Sequence, residues 1–127
     1  MRLLTSDQAR FLDHVSMEQF GISSIDLMKN AGKRIASKAK EMLNEYANPT
    51  ILIVCGKGNN GGDGYAAASI LHNDSLSVMI HSMATEKDIT NESLVFFREC
   101  ISIGIPNSFG TDLKVCLNKN IPKALAT

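Results

Sequence analysis

The chain of 127 residues has no excess charge of either sign and no hydrophobic run as long as a membrane-spanning helix. Thirteen Lys and Arg residues balance thirteen Asp and Glu residues. No overall electrostatic field therefore favours nucleic acid or an anionic membrane as a partner. The amino terminus also lacks the pattern of a secretory signal, in which basic residues precede an apolar stretch. We expect a cytoplasmic protein that binds neither nucleic acid nor membrane.

Cysteine is scarce as well. Cys55, Cys100 and Cys116 are odd in number, widely spaced and set among apolar residues. This pattern favours reduced thiols over a disulfide framework, a zinc site or a catalytic nucleophile. The rest of the composition, with 44% hydrophobic and 20% charged residues, is typical of at most one small globular domain.

The chain does have a cluster of glycines. Residues 56–64 read Gly-Lys-Gly-Asn-Asn-Gly-Gly-Asp-Gly, with five glycines in the run. Because glycine weakens regular secondary structure, we interpret the cluster as bare backbone that a ligand approaches, and not as a packing feature. A tight turn that uses Gly, Asn and Asp for local geometry is the alternative interpretation.

The segments on either side of the cluster favour a binding role. The apolar run at residues 51–55 is typical of a strand buried on both faces of a parallel sheet, and residues 65–71 predict a helix. The first N–H groups of a helix are unpaired, and its dipole is positive at that end. The predicted order of strand, glycine loop and helix therefore favours a phosphate or another anion at the loop.

Two common phosphate-binding motifs do not fit. Gly56, Gly58 and Gly61 have the spacing of the G-x-G-x-x-G dinucleotide fingerprint. However, the predicted second strand at residues 76–82 has no acidic residue at its end to hold a ribose hydroxyl. The glycines are not followed by Gly-Lys-Ser/Thr, which excludes a P-loop.

Hydrophobic spacing predicts two helices before the first strand. The first is predicted at residues 5–20. The second is capped by Ser23 or Ser24, has an apolar stripe that extends to Met42 and Tyr46, and ends at the Asn-Pro pair that follows.

The later part of the chain predicts one more helix and a short strand. After the strand at residues 76–82, a polar stretch leads into a helix that carries Leu94, Phe97 and Ile101. Alternating apolar residues at 113–117 predict a short half-buried strand. The sheet would then have three strands, fewer than parallel sheets usually contain. We therefore expect the chain to be about the N-terminal half of a larger α/β domain.

The run at residues 56–64 resembles, without a gap, the signature of the YjeF N-terminal domain family, the NAD(P)H-hydrate epimerases. A second similarity lies at residues 27–32, Leu-Met-Lys-Asn-Ala-Gly, with Lys29 where the family commonly has a glutamate. The resemblance extends from residue 3 to about residue 105. It implies a Rossmann-like three-layer α/β fold with two N-terminal helices, and one domain over residues 1–127 that is incomplete at its C-terminus.

The resemblance also implies an activity and a binding site. The family interconverts the R and S diastereomers of hydrated NADH and NADPH (NADHX and NADPHX), an isomerase reaction of cofactor repair. Asn59, Asn60, Gly61, Gly62 and Asp63 would bind this dinucleotide, and Asn60 would also be a potassium ligand through its amide oxygen. The family's candidate acid/base is an aspartate late in its domain that no residue here matches, so no catalytic residue is assigned.

Three side chains have a structural interpretation beside a binding one. Asp63 could cap the following helix. Tyr65 is more simply explained as a packed residue than as one that stacks on a ligand ring, and His81 is more simply explained as a structural residue. The resemblance implies a homodimer and an NAD(P)H-hydrate dehydratase as functional partner. The alternatives to an epimerase are a non-catalytic binding or interaction module of the same fold and an inactive truncated fragment.

Overall fold

The computed structural model describes residues 23–56, 59–89, 91–111 and 125–126. The helix predicted at residues 5–20 and the strand predicted at 113–117 lie outside these ranges. The described elements, in chain order, are α1 (Ser24–Leu43), β1 (Thr50–Cys55), α2 (Asn59–Asn73), β2 (Ser77–Ser82), a 3-10 helix (Glu86–Asp88), α3 (Asn91–Ser102), β3 (Asn107–Phe109) and β4 (Leu125–Ala126).

The strands form one parallel sheet in the order β3-β2-β1-β4. β1 pairs with β2 along its whole length, and the pairing continues where the Met83 N–H donates to the Cys55 carbonyl at 2.8 Å. Ile51 and Ile53 lie in the core that the helices cover, and Leu52, which points to the opposite face, is also buried. The predicted α/β fold, with β1 buried on both faces, is confirmed.

The first two helices run in the same direction. Ser23 caps α1, because its side chain accepts a hydrogen bond from the Asp26 N–H at 3.1 Å. A Cβ on Gly62 would meet Met28, and one turn later a Cβ on Gly32 would lie 2.6 Å from Ala66 Cβ. α1 and α2 therefore advance side by side, close enough to leave no room for a side chain at Gly32.

α3 packs against the other side of α2 and shares its direction. Ser93 Oγ lies beside Gly62 near the start of both helices, and two turns later Ser69 Oγ donates to Glu99 Oε1 at 3.0 Å. Because α2 directly follows β1, its first turn lies at the carboxyl edge of the sheet. α1 and α3 therefore also begin at that edge.

The buried faces of two helices differ from the predicted ones. Met42 and Tyr46 are 65% and 66% exposed, and the buried residues of α1 are Met28, Gly32, Ala36 and Ala39. The reason is that α2 lies so close to α1 that small residues fit best at their contact. In α3, Ile101 is 44% exposed and the buried residues are Ser93, Phe96, Phe97 and Cys100.

Two strands were not predicted. β3 contains only Asn107–Phe109, without a β-branched residue, and β4 pairs with β1 over two residues. Strands this short carry almost no local signal, so their position depends on the strands that they pair with.

Two free cysteines lie in the core. Cys55 ends β1 and Cys100 lies on α3, where its thiol donates to the Tyr65 carbonyl at 3.1 Å. Burial raises the pKa of both thiols to about 12. The prediction of reduced, unreactive thiols is confirmed for these two, whereas Cys116 lies outside the described residues.

Raising the pH is expected to weaken the fold. The folded chain keeps both thiols protonated up to about pH 12, whereas the unfolded chain loses these protons near pH 9.0. The unfolded state then binds fewer protons, so the free energy of unfolding falls between these two values. Urea unfolding at several pH values checks this, and Cys100→Ala should show a shallower fall. A wild-type stability that stays constant across this range would contradict the prediction.

Candidate functional site

The glycine cluster lies mostly inside a helix. α2 begins at Asn59, so Gly61, Gly62 and Gly64 belong to its first two turns, and only Gly56 is described between β1 and α2. The prediction of a glycine loop followed by a helix at residues 65–71 is therefore wrong about where the helix starts. All five predicted binding residues fall in the first five positions of α2.

These glycines are packing residues. A Cβ on Gly61 would overlap the carbonyl oxygen of Gly56, and a Cβ on Gly64 would lie 2.7 Å from Cys55 Sγ. Gly62 faces α1 and α3, where a Cβ would meet Met28 and lie 2.6 Å from Ser93 Oγ. The interpretation that the cluster has no packing role is wrong, because Gly61 touches the residue that follows β1, Gly64 touches β1, and Gly62 touches the two neighbouring helices.

The three helices that begin at the carboxyl edge differ in charge. α1 has Asp26 in its first turn and α3 has Glu92, but the first turn of α2 has no acidic residue. The Ser24 hydroxyl donates to Glu92 at 2.6 Å, and this hydrogen bond holds the pKa of Glu92 below its usual value. Asp26 and Glu92 thus place carboxylates at the positive ends of α1 and α3, whereas the first turn of α2 contains none.

Asp63 does not cap α2. It is the fifth residue of the helix and is half-buried, whereas a capping aspartate precedes the first turn. The capping alternative is therefore wrong.

The strand ends at this edge are connected by an aromatic cluster. Cys55 pairs with Ser82 and Ser82 pairs with Phe109, so the last residues of the three strands lie in one row. The Tyr65 hydroxyl and Ser82 Oγ are 2.6 Å apart, and the Tyr65 ring lies 5.3 Å from that of Phe97. Tyr65 is 1% exposed, and burial raises its pKa to about 12. The prediction that it is packed is confirmed.

His81, near the end of β2, is a structural residue, as predicted. It is buried, with Nδ1 2.7 Å from Ser108 Oγ and Nε2 2.9 Å from the Gly110 carbonyl. A carbonyl only accepts, so Nε2 carries the proton and, in the neutral ring, Nδ1 accepts from the serine. His81 thereby holds the residues on both sides of Phe109.

Two negative findings apply to the parts of the chain described here. No group of three or more His, Cys, Asp or Glu side chains comes together to hold a metal ion. No helix among the described residues is both long and apolar enough to span a membrane.

Sequence reasoning missed three contacts at this edge. The hydrogen bond between Ser24 and Glu92, the pair formed by Tyr65 and Ser82, and the interaction of His81 with β3 all join residues far apart in the chain. No local pattern identifies such partners. Of the residues in these contacts, only Ser24 carried a signal in the sequence. That signal was a candidate helix cap and did not identify Glu92 as its partner.

The chain is similar in sequence to one family model and to several known enzymes. A family model described as YjeF-related protein N-terminus matches residues 24–118. The chain is 36% identical over 102 residues to an NAD(P)H-hydrate epimerase of Rhodopirellula baltica, covering 80% of this chain and 41% of that protein. It is 39% identical over 94 residues to a bifunctional NAD(P)H-hydrate repair enzyme of Moorella thermoacetica, covering 73% of this chain and 18% of that protein.

The fold also matches a solved structure. The crystal structure of yeast ynu0 superposes with a TM-score of 0.76 at 20% sequence identity, covering 93% of this chain and 51% of that one. At this identity the match supports the fold alone. The chain spans about two fifths of the length of the Rhodopirellula epimerase and about half that of the yeast chain.

Substitution at Gly61 tests whether the cluster packs. In Gly61→Ala the new methyl group meets the Gly56 carbonyl oxygen, part of the backbone, so we expect a loss of about 1–3 kcal/mol in the free energy of unfolding. Gly56→Ala is the matched control, because a Cβ there has no atom within 4 Å. Urea unfolding of both variants measures the difference. Equal stability of Gly61→Ala and Gly56→Ala would contradict the packing role.

Proposed function

Since this chain belongs to the family described as YjeF-related protein N-terminus, we propose that it binds NADHX and NADPHX and acts in NAD(P)H-hydrate epimerisation. The reaction interconverts the R and S diastereomers at the hydrated carbon of the nicotinamide ring. Its role is to allow a dehydratase that accepts one diastereomer to repair both.

The lack of an acidic residue in the first turn of α2 is the observation that carries the proposal. α1 and α3 have acidic residues in their first turns and α2 has none. The dinucleotide carries a pyrophosphate, and unpaired N–H groups at a helix start bind such anions. We propose that Asn59, Asn60, Gly61 and Gly62 hold the pyrophosphate at the start of α2, and that Asp63 accepts a hydrogen bond from a hydroxyl group of the ligand.

Cys55 and Tyr65, two buried groups at this edge, are not assigned as the catalytic acid or base. Epimerisation needs a group that exchanges a proton near neutral pH. Burial raises the pKa of Cys55 and of Tyr65 to about 12, so both keep their protons there. We assign binding to the described residues and no catalytic role to any of them.

The functional partner, the cellular location and the oligomeric state are proposed from the relatives and from the cysteines. The name of the Moorella relative describes a bifunctional repair enzyme, and on that basis we propose an NAD(P)H-hydrate dehydratase as functional partner. Two buried free cysteines agree with the reducing conditions of the cytoplasm, where we propose that the protein acts. By family membership we also propose a homodimer, and one domain of this family over residues 1–127.

A coupled assay tests the function. The chain is mixed with the hydrated dinucleotide diastereomer that the dehydratase rejects, together with the dehydratase and its nucleotide cosubstrate. We expect NADH to be recovered faster than by spontaneous epimerisation. Binding of the dinucleotide without faster recovery would contradict an epimerase activity of this chain and support a binding module. The dehydratase alone is the control.

Substitutions in α2 test the binding site. We expect Asn60→Ala and Asp63→Ala each to weaken NADHX binding about tenfold, because each removes a hydrogen-bonding group next to a charged ligand. Asn73→Ala, at the exposed far end of the same helix, is the matched control and should bind as the wild type does. Isothermal titration calorimetry gives the three affinities. Unchanged affinity in both site variants would contradict the binding site and leave these residues a structural role alone, although not the tight turn, because they lie inside α2.

Potassium at Asn60 is a separate proposal. Among the described residues no group of three or more His, Cys, Asp or Glu side chains is placed to hold a metal ion, and the positive end of a helix repels a cation. Asn60 would supply one amide oxygen to the ion, and no reaction step is assigned to it. If so, K⁺ but not Na⁺ raises the unfolding temperature of the wild type and not that of Asn60→Ala. Equal responses to the two ions would contradict the site.

A further inference from the structure

Phe109 is an exposed aromatic residue at the carboxyl edge of the sheet. It is the last residue of β3 and 39% exposed. Its backbone pairs with Ser82, which in turn pairs with Cys55, the residue that precedes the segment leading into α2. Phe109 therefore lies on the same edge as the start of α2, two strands away from β1.

The Phe109 ring is held from one side. The Phe97 ring meets it in an edge-on arrangement, with the centroids 5.5 Å apart and the planes at 86°. Phe97 is itself only 3% exposed and packs against Tyr65. The inner part of Phe109 is thus fixed by a buried aromatic cluster, and the rest of the side chain faces solvent.

The backbone on both sides of Phe109 is also fixed. His81 contacts Ser108 Oγ through Nδ1 and the Gly110 carbonyl through Nε2, and the Gly110 N–H donates to the Ser82 carbonyl at 3.0 Å. An edge strand of three residues has few hydrogen bonds of its own. The buried histidine supplies the missing ones, so the exposed ring is preorganised.

We propose that Phe109 is a stacking surface for the adenine ring of the dinucleotide. This inference rests on the proposed function, since it takes the pyrophosphate to lie at the start of α2. Neighbouring strands are about 4.8 Å apart, so Phe109 lies about 10 Å across the edge from the end of β1. That span is comparable with the reach of an adenosine group from its phosphate.

The chemistry of the ligand selects adenine as the stacked ring. Adenine offers a flat aromatic face, whereas the hydrated nicotinamide ring contains saturated carbons and is no longer aromatic. Base stacking on an aromatic side chain needs only such a face. Ser82, the last residue of β2, and Met83, which follows it, provide no carboxylate for the adenosine ribose. Phe109 is therefore the specificity-determining contact for the adenosine half.

The fluorescence of a single introduced tryptophan reports directly on stacking, because the chain contains no Trp of its own. Phe109→Trp places the only indole at the proposed surface, and we expect AMP to quench its fluorescence by stacking. Tyr46→Trp is the matched control, because Tyr46 is 66% exposed and lies just before the amino end of β1. Quenching confined to Phe109→Trp supports the proposal. Equal quenching of the two variants, or none in either, overturns it.

Affinities separate this inference from the proposed function. We expect Phe109→Ala to weaken AMP and ADP-ribose binding at least about fivefold, and Phe109→Tyr to restore it. Inorganic pyrophosphate should bind the wild type and Phe109→Ala equally, since it has no base. Wild-type AMP affinity in Phe109→Ala overturns the stacking role. Failure of the wild type to bind pyrophosphate contradicts the proposed anion site and not the stacking role. Equal urea unfolding midpoints for the wild type and the Phe109 variants exclude a folding defect.

Discussion

The close approach of α2 to the end of β1 is the contact on which the other features depend. Gly61 lies against the Gly56 carbonyl and Gly64 against the Cys55 thiol, and neither glycine places a side chain of its own at these contacts. Gly62 leaves room for Met28 of α1 and for Ser93 of α3. The first turn of α2 is thereby fixed at the carboxyl edge of the sheet.

The start of α2 combines a packing role, which the glycines show, with the binding role that we propose for it. Packing requires glycines on the inner sides of the first two turns, and an anion requires accessible main-chain amides at the helix start. Asp26 and Glu92 compensate the positive ends of α1 and α3, and no acidic residue of the first turn does so for α2. On the far side of the edge, His81 and Phe97 fix Phe109 as an aromatic surface. Together these features suit a ligand with an anionic centre and a flat base.

The sequence predicted those features that depend on local pattern. The apolar runs of β1 and β2 and the serine cap of α1 were found to within a residue or two. The predicted start of α2 was wrong because glycine has a low helix propensity, so the sequence indicated a loop at Gly61 and Gly62. In the structure, the packing of these glycines outweighs that propensity. β3 was missed because its place depends on partners such as His81. The assignment of residues 59–63 to binding stays a prediction, and the packing role of Gly61 and Gly62 became visible only with the neighbouring elements.

Amide chemical shifts measured by NMR test whether an anion binds at the start of α2. Inorganic pyrophosphate is titrated into uniformly ¹⁵N-labelled protein, and the shift of each backbone N–H is followed. We predict the largest changes at Asn60, Gly61 and Gly62, with little change at the far end of α2 near Asn73. Changes that centre elsewhere on the folded protein, or no changes at all, would contradict an anion site at the start of α2.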